Sequence, residues 1–276
     1  MPSTASGTIG TNETARVSVK KSKDYMDLKL KGKNAIVTGA SRGVGRAVAL
    51  GLAREGVNLV VTAGHIEGAE KTAEAARALG VQATALAADF ADPAQVTAMM
   101  AKAEAALGEM DILINDAGIF LQGWCQDISL EDWQRTFDVN LTASFLTSQY
   151  FAKANLDAGR GGKIINVNSQ AAFHGSTTGH VHYAASKAGM AAMTISMARE
   201  LSPKGITVNA VALGIVATDM IAKSMAEHPG YYESRIPIGH VAKPEEVADV
   251  IVFLASEPAS YMTGATVDLT GGMLMR

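Results

Sequence analysis

From Leu28 onward, short β-branched runs alternate with longer Ala-rich stretches. Asn34-Ala35-Ile36-Val37-Thr38 has the near-continuous apolar character of a strand buried on both faces. A glycine-rich turn follows, and then a helical pattern over residues 44–55. Further helices are predicted over 67–79, 93–107, 130–156, 183–201 and 245–255. Further strands are predicted over 57–62, 81–88, 111–115, 163–168, 206–211 and 265–269. Strands that alternate with helices predict an α/β fold, a doubly wound parallel sheet with helices on both faces. Counting the first, there are seven strand segments. Residues 213–240 show no clear period, and a stretch of that length is expected to be a lid or binding loop.

A chain of 276 residues is long enough for one large α/β domain, with no repeat or second domain in the pattern. Hydrophobic content of 48% against 18% charged residues excludes a disordered chain. A net charge of −3 points to neither nucleic acid nor an anionic membrane as partner. The single cysteine, Cys125, excludes an internal disulfide, and a plain packed or partly exposed thiol is expected there. No apolar run approaches the ~20 residues of a membrane span. Residues 1–27 are rich in Ser, Thr, Gly and Lys and lack the apolar segment of a secretory signal. A flexible or disordered arm is expected there, with the domain over 28–276. Glu13, Asp24 and Asp27 count against an organelle transit segment.

Three places carry candidate chemistry. Thr38-Gly39-Ala40-Ser41-Arg42-Gly43-Val44-Gly45 joins the first strand to the first helix, where a doubly wound fold receives a dinucleotide. Glycine lets the backbone approach a pyrophosphate, and the helix N-terminus stabilises its charge. Gly39, Gly118 and Ser169 fall at strand ends and are expected to gather at one edge of the sheet. Tyr183 and Lys187 lie four apart in a helical pattern and so share a face. A nearby ammonium is expected to lower the phenol's pKa and ready it for proton transfer. Histidines 174, 180 and 182 read as a polar loop near the substrate mouth, with no metal site because no carboxylate or thiolate sits beside them.

Taken in order, the TGASRGVG turn, Asn115-Asp116-Ala117-Gly118, Asn140, Ser169 and the Tyr183/Lys187 pair resemble the short-chain dehydrogenase/reductase family. The chain looks most like the 3-oxoacyl-carrier-protein reductase branch, from about Leu28 to the C-terminus. The resemblance implies a single Rossmann-type domain and four catalytic residues: Asn140, Ser169, Tyr183 and Lys187. Tyr183 would be the general acid, Lys187 would tune it and bind the nicotinamide ribose, Ser169 would polarise the carbonyl, and Asn140 would hold a relay water. Cofactor contacts are implied at Gly39, Ser41, Arg42, Val44, Gly45, His65, Asp89, Phe90, Asn115, Ala117, Gly118, Tyr183, Lys187, Gly214, Val216 and Thr218. Substrate contacts are expected at Ser169, His174, Tyr183 and Met220. Arg42, and the lack of an acid before Glu67 after the second strand, favour NADP over NAD.

The expected activity is reversible NADPH-dependent reduction of a ketone to a secondary alcohol. A 3-oxoacyl thioester, a sugar or polyol, and a small ketone all stand as substrates. The alternatives are a non-catalytic NADP-binding sensor or scaffold, and an NAD-dependent alcohol or sugar dehydrogenase working oxidatively. A cytoplasmic homotetramer is expected by resemblance, and an acyl carrier protein is a candidate partner through Arg160 and Lys204. Two departures from the family pattern stand out. Asp116 replaces the usual second Asn, where a structural role is expected, and Leu213-Gly214 replaces Pro-Gly.

Overall fold

β1 (Asn34–Val37) is the hinge of the architecture, because strands pair with it on both sides. β2 (Asn58–Ala63) and β3 (Ala83–Ala87) lie to one side. β4 (Ile112–Asn115), β5 (Gly162–Ser169), β6 (Ile206–Leu213) and β7 (Thr266–Leu269) lie to the other. The order is β3-β2-β1-β4-β5-β6-β7, and every pairing is parallel. The computed structural model describes residues 26–176 and 179–275, apart from the side chains of 220, 223 and 224. Most of the arm expected over 1–27 therefore lies outside the described residues.

Successive side chains of a strand point to opposite faces, and β1 divides its residues accordingly. Ala35 and Val37 join a core containing Val48, Leu52 and Ile251. Ile36 joins a second core containing Met100, Phe151 and Val208. The first core is covered by α1 (Gly43–Arg54), α2 (Ile66–Arg77) and α9 (Pro244–Ala255). The second is covered chiefly by α3 (Pro93–Leu107) and α5 (Ala143–Asp157). Each fully buried aliphatic or aromatic side chain contributes roughly 1.5–3 kcal/mol, so covering the sheet on both faces stabilises the fold from two cores.

Two departures from the predicted elements bear on function. The single helix expected over 130–156 is α4 (Leu130–Phe137), a π-helical turn (Asp138–Thr142) and then α5. The π turn contains Asn140, and an apolar period cannot reveal such a local change in hydrogen bonding. The second departure lies in 213–240, which holds α8 (Asp219–Glu227) and a 3₁₀ turn (Glu233–Arg235). Alternating charges and apolar residues over only nine positions hid this short helix. The remaining α-helices among the described residues are a single turn, α6 (Ala171–His174), and α7 (Val181–Leu201). No helix among the described residues is long and apolar enough to cross a membrane.

Candidate active site

The strand order turns outward in both directions from the β1/β4 pair, which opens a crevice at the carboxyl ends of those strands. Thr38 closes its floor. Its hydroxyl accepts from the Asp116 and Ala117 N–H groups at 3.0 and 3.1 Å and donates to the Ile114 carbonyl at 3.3 Å. The loops after β1 and β4 are thereby pressed together. Gly39 has φ +69°, and a Cβ there would lie 2.8 Å from the Ala117 nitrogen. A Cβ on Gly45 would lie 2.6 Å from the Gly39 carbonyl oxygen. Neither position admits another residue without moving backbone.

α1, like α2, begins without an N-cap side chain, whereas α3 and α4 have one. Asp92 caps α3 through the Ala94 and Gln95 N–H groups, and Ser129 caps α4 through Asp132. At α1 the residue before the helix is Arg42, which makes no side-chain cap. The first-turn donors of a helix need a partner; at α1 the Asp116 carboxyl faces the Gly45 N–H, and the residue before the helix caps none of them. A glycine cradle with an uncapped helix terminus fits a dinucleotide pyrophosphate. The buried Thr62 hydroxyl at the end of β2, which lacks a partner among the described residues, adds a second free polar group nearby.

The other predicted cofactor residues divide by what their side chains already do. Arg42 is exposed and stands 3.5 Å from Asp219. His65 is exposed at the start of α2 with its side chain uncommitted to capping. Ser41 passes so close to α2 that a Cβ on Gly68 would meet it at 2.6 Å. Asp89 accepts from the Ala91 N–H at 2.9 Å, fixing the turn after β3. Val44 and Phe90 are packed into the two cores. The Asn115 amide is buried in a network with Ser148, Asn166 and Thr147 at 2.7–3.0 Å, which leaves only its backbone for a ligand. Gly118 backs onto Asn140, Gly214 onto Thr270, and Thr218 lies over Gly43. Val216 forms a parallel bridge to Ala242.

Across the crevice, β5 and α7 bring three predicted catalytic residues together. The Ser169 hydroxyl hydrogen-bonds the Tyr183 phenol and also accepts from the Ala171 N–H at 3.2 Å. The Lys187 ammonium lies 5.9 Å from the Tyr183 ring centre and donates to the Val167 carbonyl at 2.8 Å. Asn140 is fully buried behind them. Its amide donates to the Ile119 carbonyl at 3.1 Å and to Ser186 at 3.2 Å, and it accepts from the Ile119 N–H at 2.8 Å. Asn140 thus fastens the post-β4 loop to α7, and its side chain has little left for a water.

One electrostatic expectation is corrected. Burial pushes the Tyr183 pKa up, the Ser169 hydrogen bond opposes this, and Asp116 adds to the rise. The amine expected to lower it is itself buried and turned toward Val167. Burial brings Lys187 down to about 8, and Asp116 resists that fall. Asp116 in turn is raised by burial to about 7, against the pull of Lys187 and of a hydrogen bond from the Gly45 N–H.

The three histidines part company. His174 is exposed at the end of α6. His180 and His182 are buried. Sequence reasoning missed the aromatic wall that His180 builds: its ring stacks on Phe120 at 3.8 Å, and Phe120 meets the Tyr183 ring edge-on at 4.7 Å. The one available signal was Phe120's place two residues past Gly118, on a strand-end loop. The Met220 side chain lies outside the described residues. Among the described residues no group of three or more His, Cys, Asp or Glu is placed to hold a metal. Arg160 and Lys204 are also corrected. They precede β5 and β6, at the amino ends of the strands, whereas Ser169 ends β5. An eight-residue strand spans roughly 23 Å, so neither residue flanks the crevice. Arg160 is further tied to Glu109 at 2.6 Å.

A dinucleotide-type crevice faced by a Ser–Tyr–Lys cluster defines the class, and comparison with known proteins agrees. The family described as enoyl-(acyl carrier protein) reductase matches residues 39–274. The chain belongs to the short-chain dehydrogenase/reductase family and is an oxidoreductase of that family. It is 39% identical to the 3-oxoacyl-(acyl-carrier-protein) reductase FabG of Aquifex aeolicus, over 90% of this chain and all of that protein. A short-chain type dehydrogenase/reductase from Mycobacterium marinum superposes with a TM-score of 0.85 at 36% identity, covering 90% of this chain and 98% of the other. A short chain dehydrogenase from Burkholderia cenocepacia in complex with NADP gives 0.82 at 36% identity, covering 88% and 98%.

Proposed function

We propose that this protein reduces a ketone to a secondary alcohol with NADPH, and that a 3-oxoacyl thioester is the first substrate to try. The observation that carries this is the meeting of Ser169 and Tyr183 hydroxyls beside Lys187, at the mouth of the glycine-lined crevice. The thioester is preferred because the likeness to FabG covers 90% of the chain. NADP is preferred because His65 and Arg42 are exposed at the ends of β2 and β1, with no acid before Glu67.

In this reading Gly39, Gly43 and Gly45 hold the pyrophosphate on the α1 terminus, and the loop of Gly214, Val216 and Thr218 closes over it. The bound nicotinamide supplies the hydride. Ser169 and Tyr183 donate to the substrate oxygen, where negative charge grows in the transition state, and so stabilise it more than the ground state. Tyr183 then passes its proton to that oxygen. A phenol with a raised pKa is fully protonated at neutral pH, as an acid in this direction must be. Lys187 supplies positive charge beside the phenolate left behind. Phe120 and His180 form an aromatic side wall for the substrate.

The alternative of a non-catalytic sensor is disfavoured by the retention of Asn140, Ser169, Tyr183 and Lys187 together. A homotetramer is the expected assembly, and the exposed Phe145 on α5 and Ile195 on α7 supply apolar surface for it. Light scattering giving a monomer mass overturns that assembly. A cytoplasmic location goes with this reading. The activity is tested by following NADPH absorbance with 3-oxoacyl thioesters, sugar ketones and small ketones. Binding without turnover on every substrate favours the sensor, and turnover on sugar ketones alone moves the substrate class.

A further inference from the structure

Asp116 stands where the family's usual residue is Asn, and the fold puts its carboxyl between the two halves of the crevice. Its backbone N–H is held by the Thr38 hydroxyl at 3.0 Å. Its carboxyl accepts from the Gly45 N–H in the first turn of α1. Its Oδ2 is so close that a Cβ on Gly45 would lie 2.6 Å away. From α7 the facing charged group is Lys187, with the Tyr183 phenol beside it; from α1 the Gly45 N–H faces the carboxyl, and after β1 the Thr38 hydroxyl holds the Asp116 backbone N–H. An Asn would serve the Gly45 N–H equally well through its carbonyl oxygen. What the carboxyl adds is a negative charge that can be present or absent.

That charge sits at the helix terminus where a pyrophosphate is expected. A like charge nearby disfavours an ionised carboxyl. Burial has already brought Asp116 to about 7, so little further push is needed for it to take up a proton near neutral pH. We propose that Asp116 is a proton-linked positioning residue: the dinucleotide settles on α1 with uptake of a proton by this carboxyl. The proposal rests on the NADP reading above. The protonated protein is then the better binder, so affinity is highest below neutral pH and falls as pH rises. Each unit by which the cofactor raises the Asp116 pKa corresponds to about tenfold in affinity between the two protonation states. A neutral Asp116 also withdraws the negative charge that sustains the Lys187 ammonium, which ties the cofactor half of the site to the proton-donating half.

The test is titration of the full chain with NADPH from pH 6 to 8.5, wild type against Asp116→Asn, followed by NADPH fluorescence. The cofactor's own phosphate ionises equally in both titrations and cancels in the comparison. The wild-type Kd is expected to rise about tenfold more than that of the variant across this range. Calorimetry at pH 7.5 in buffers of different ionisation enthalpy should show about half a proton more taken up by the wild type. Parallel pH curves overturn the proton linkage while leaving the cofactor reading intact. Should the variant fail to fold, zero proton uptake by the wild type overturns it alone. A wild type that binds no NADPH at any pH overturns the cofactor reading and this linkage with it.

Discussion

The two banks of the crevice are built by different means. On the α1 bank, backbone does the work: Gly39 and Gly45 bring main-chain atoms within distances that no side chain tolerates. On the α7 bank, side chains do it: Ser169, Tyr183, Lys187 and Asn140 are each aimed by a named hydrogen bond. Any anion of the right shape can use a cradle of N–H groups, so the first bank confers binding. The second bank confers chemistry, since proton transfer needs particular atoms at particular pKa values. Asp116 lies against Gly45 on the first bank and acts electrostatically on Lys187 and Tyr183 on the second.

The largest effect should come from removing the acid. Tyr183→Phe should lower turnover by about 10²–10⁴, the usual worth of a positioned proton donor, while the NADPH Kd stays within twofold. Equal losses in Kd and turnover would merge the two banks. Ser169→Ala is expected to cost about 10² in kcat, somewhat below or at the range for one oxyanion donor, again with binding retained. On the opposite bank, Gly39→Ala combines a left-handed φ with a 2.8 Å clash against Ala117, so NADPH affinity and thermal stability should fall together. Strain of this kind costs roughly 1–3 kcal/mol, readable as a lower Tm with a weaker Kd, and an unchanged Tm would show that the backbone can yield. Smallest is Arg42→Glu. Its exposed charge near a 2′-phosphate is worth between the water and surface limits, roughly 1–4 kcal/mol at contact, and less through solvent. A shift of about tenfold toward NADH is expected, measured as the ratio of the two Kd values, and no shift would remove Arg42 from the phosphate site.

The sequence made some of this legible and not the rest. The alternation of β-branched and Ala-rich segments located seven strands and the longer helices, but not α6 or α8, because periodicity is a local property that short helices do not display. The helix over Pro93–Leu107 was read to the residue, since Asp92 and Pro93 mark its start chemically. The π turn around Asn140 was invisible, because one shifted hydrogen bond leaves the apolar spacing almost unchanged. Position relative to the sheet was equally hidden for Arg160 and Lys204, which lie at the wrong ends of their strands to meet a ligand.

By itself, then, the chain determined which residue types occur, in what order, and where the strands and the longer helices lie. Those follow from short-range sterics and from the spacing of apolar side chains. Only tertiary packing decided what the polar groups near the crevice are. It buried Lys187 and Tyr183 and stacked His180 on Phe120. It also set the Asp116 carboxyl against Gly45, although the two are far apart in sequence. Burial and neighbouring charge set a pKa, and both come into being only when distant segments meet.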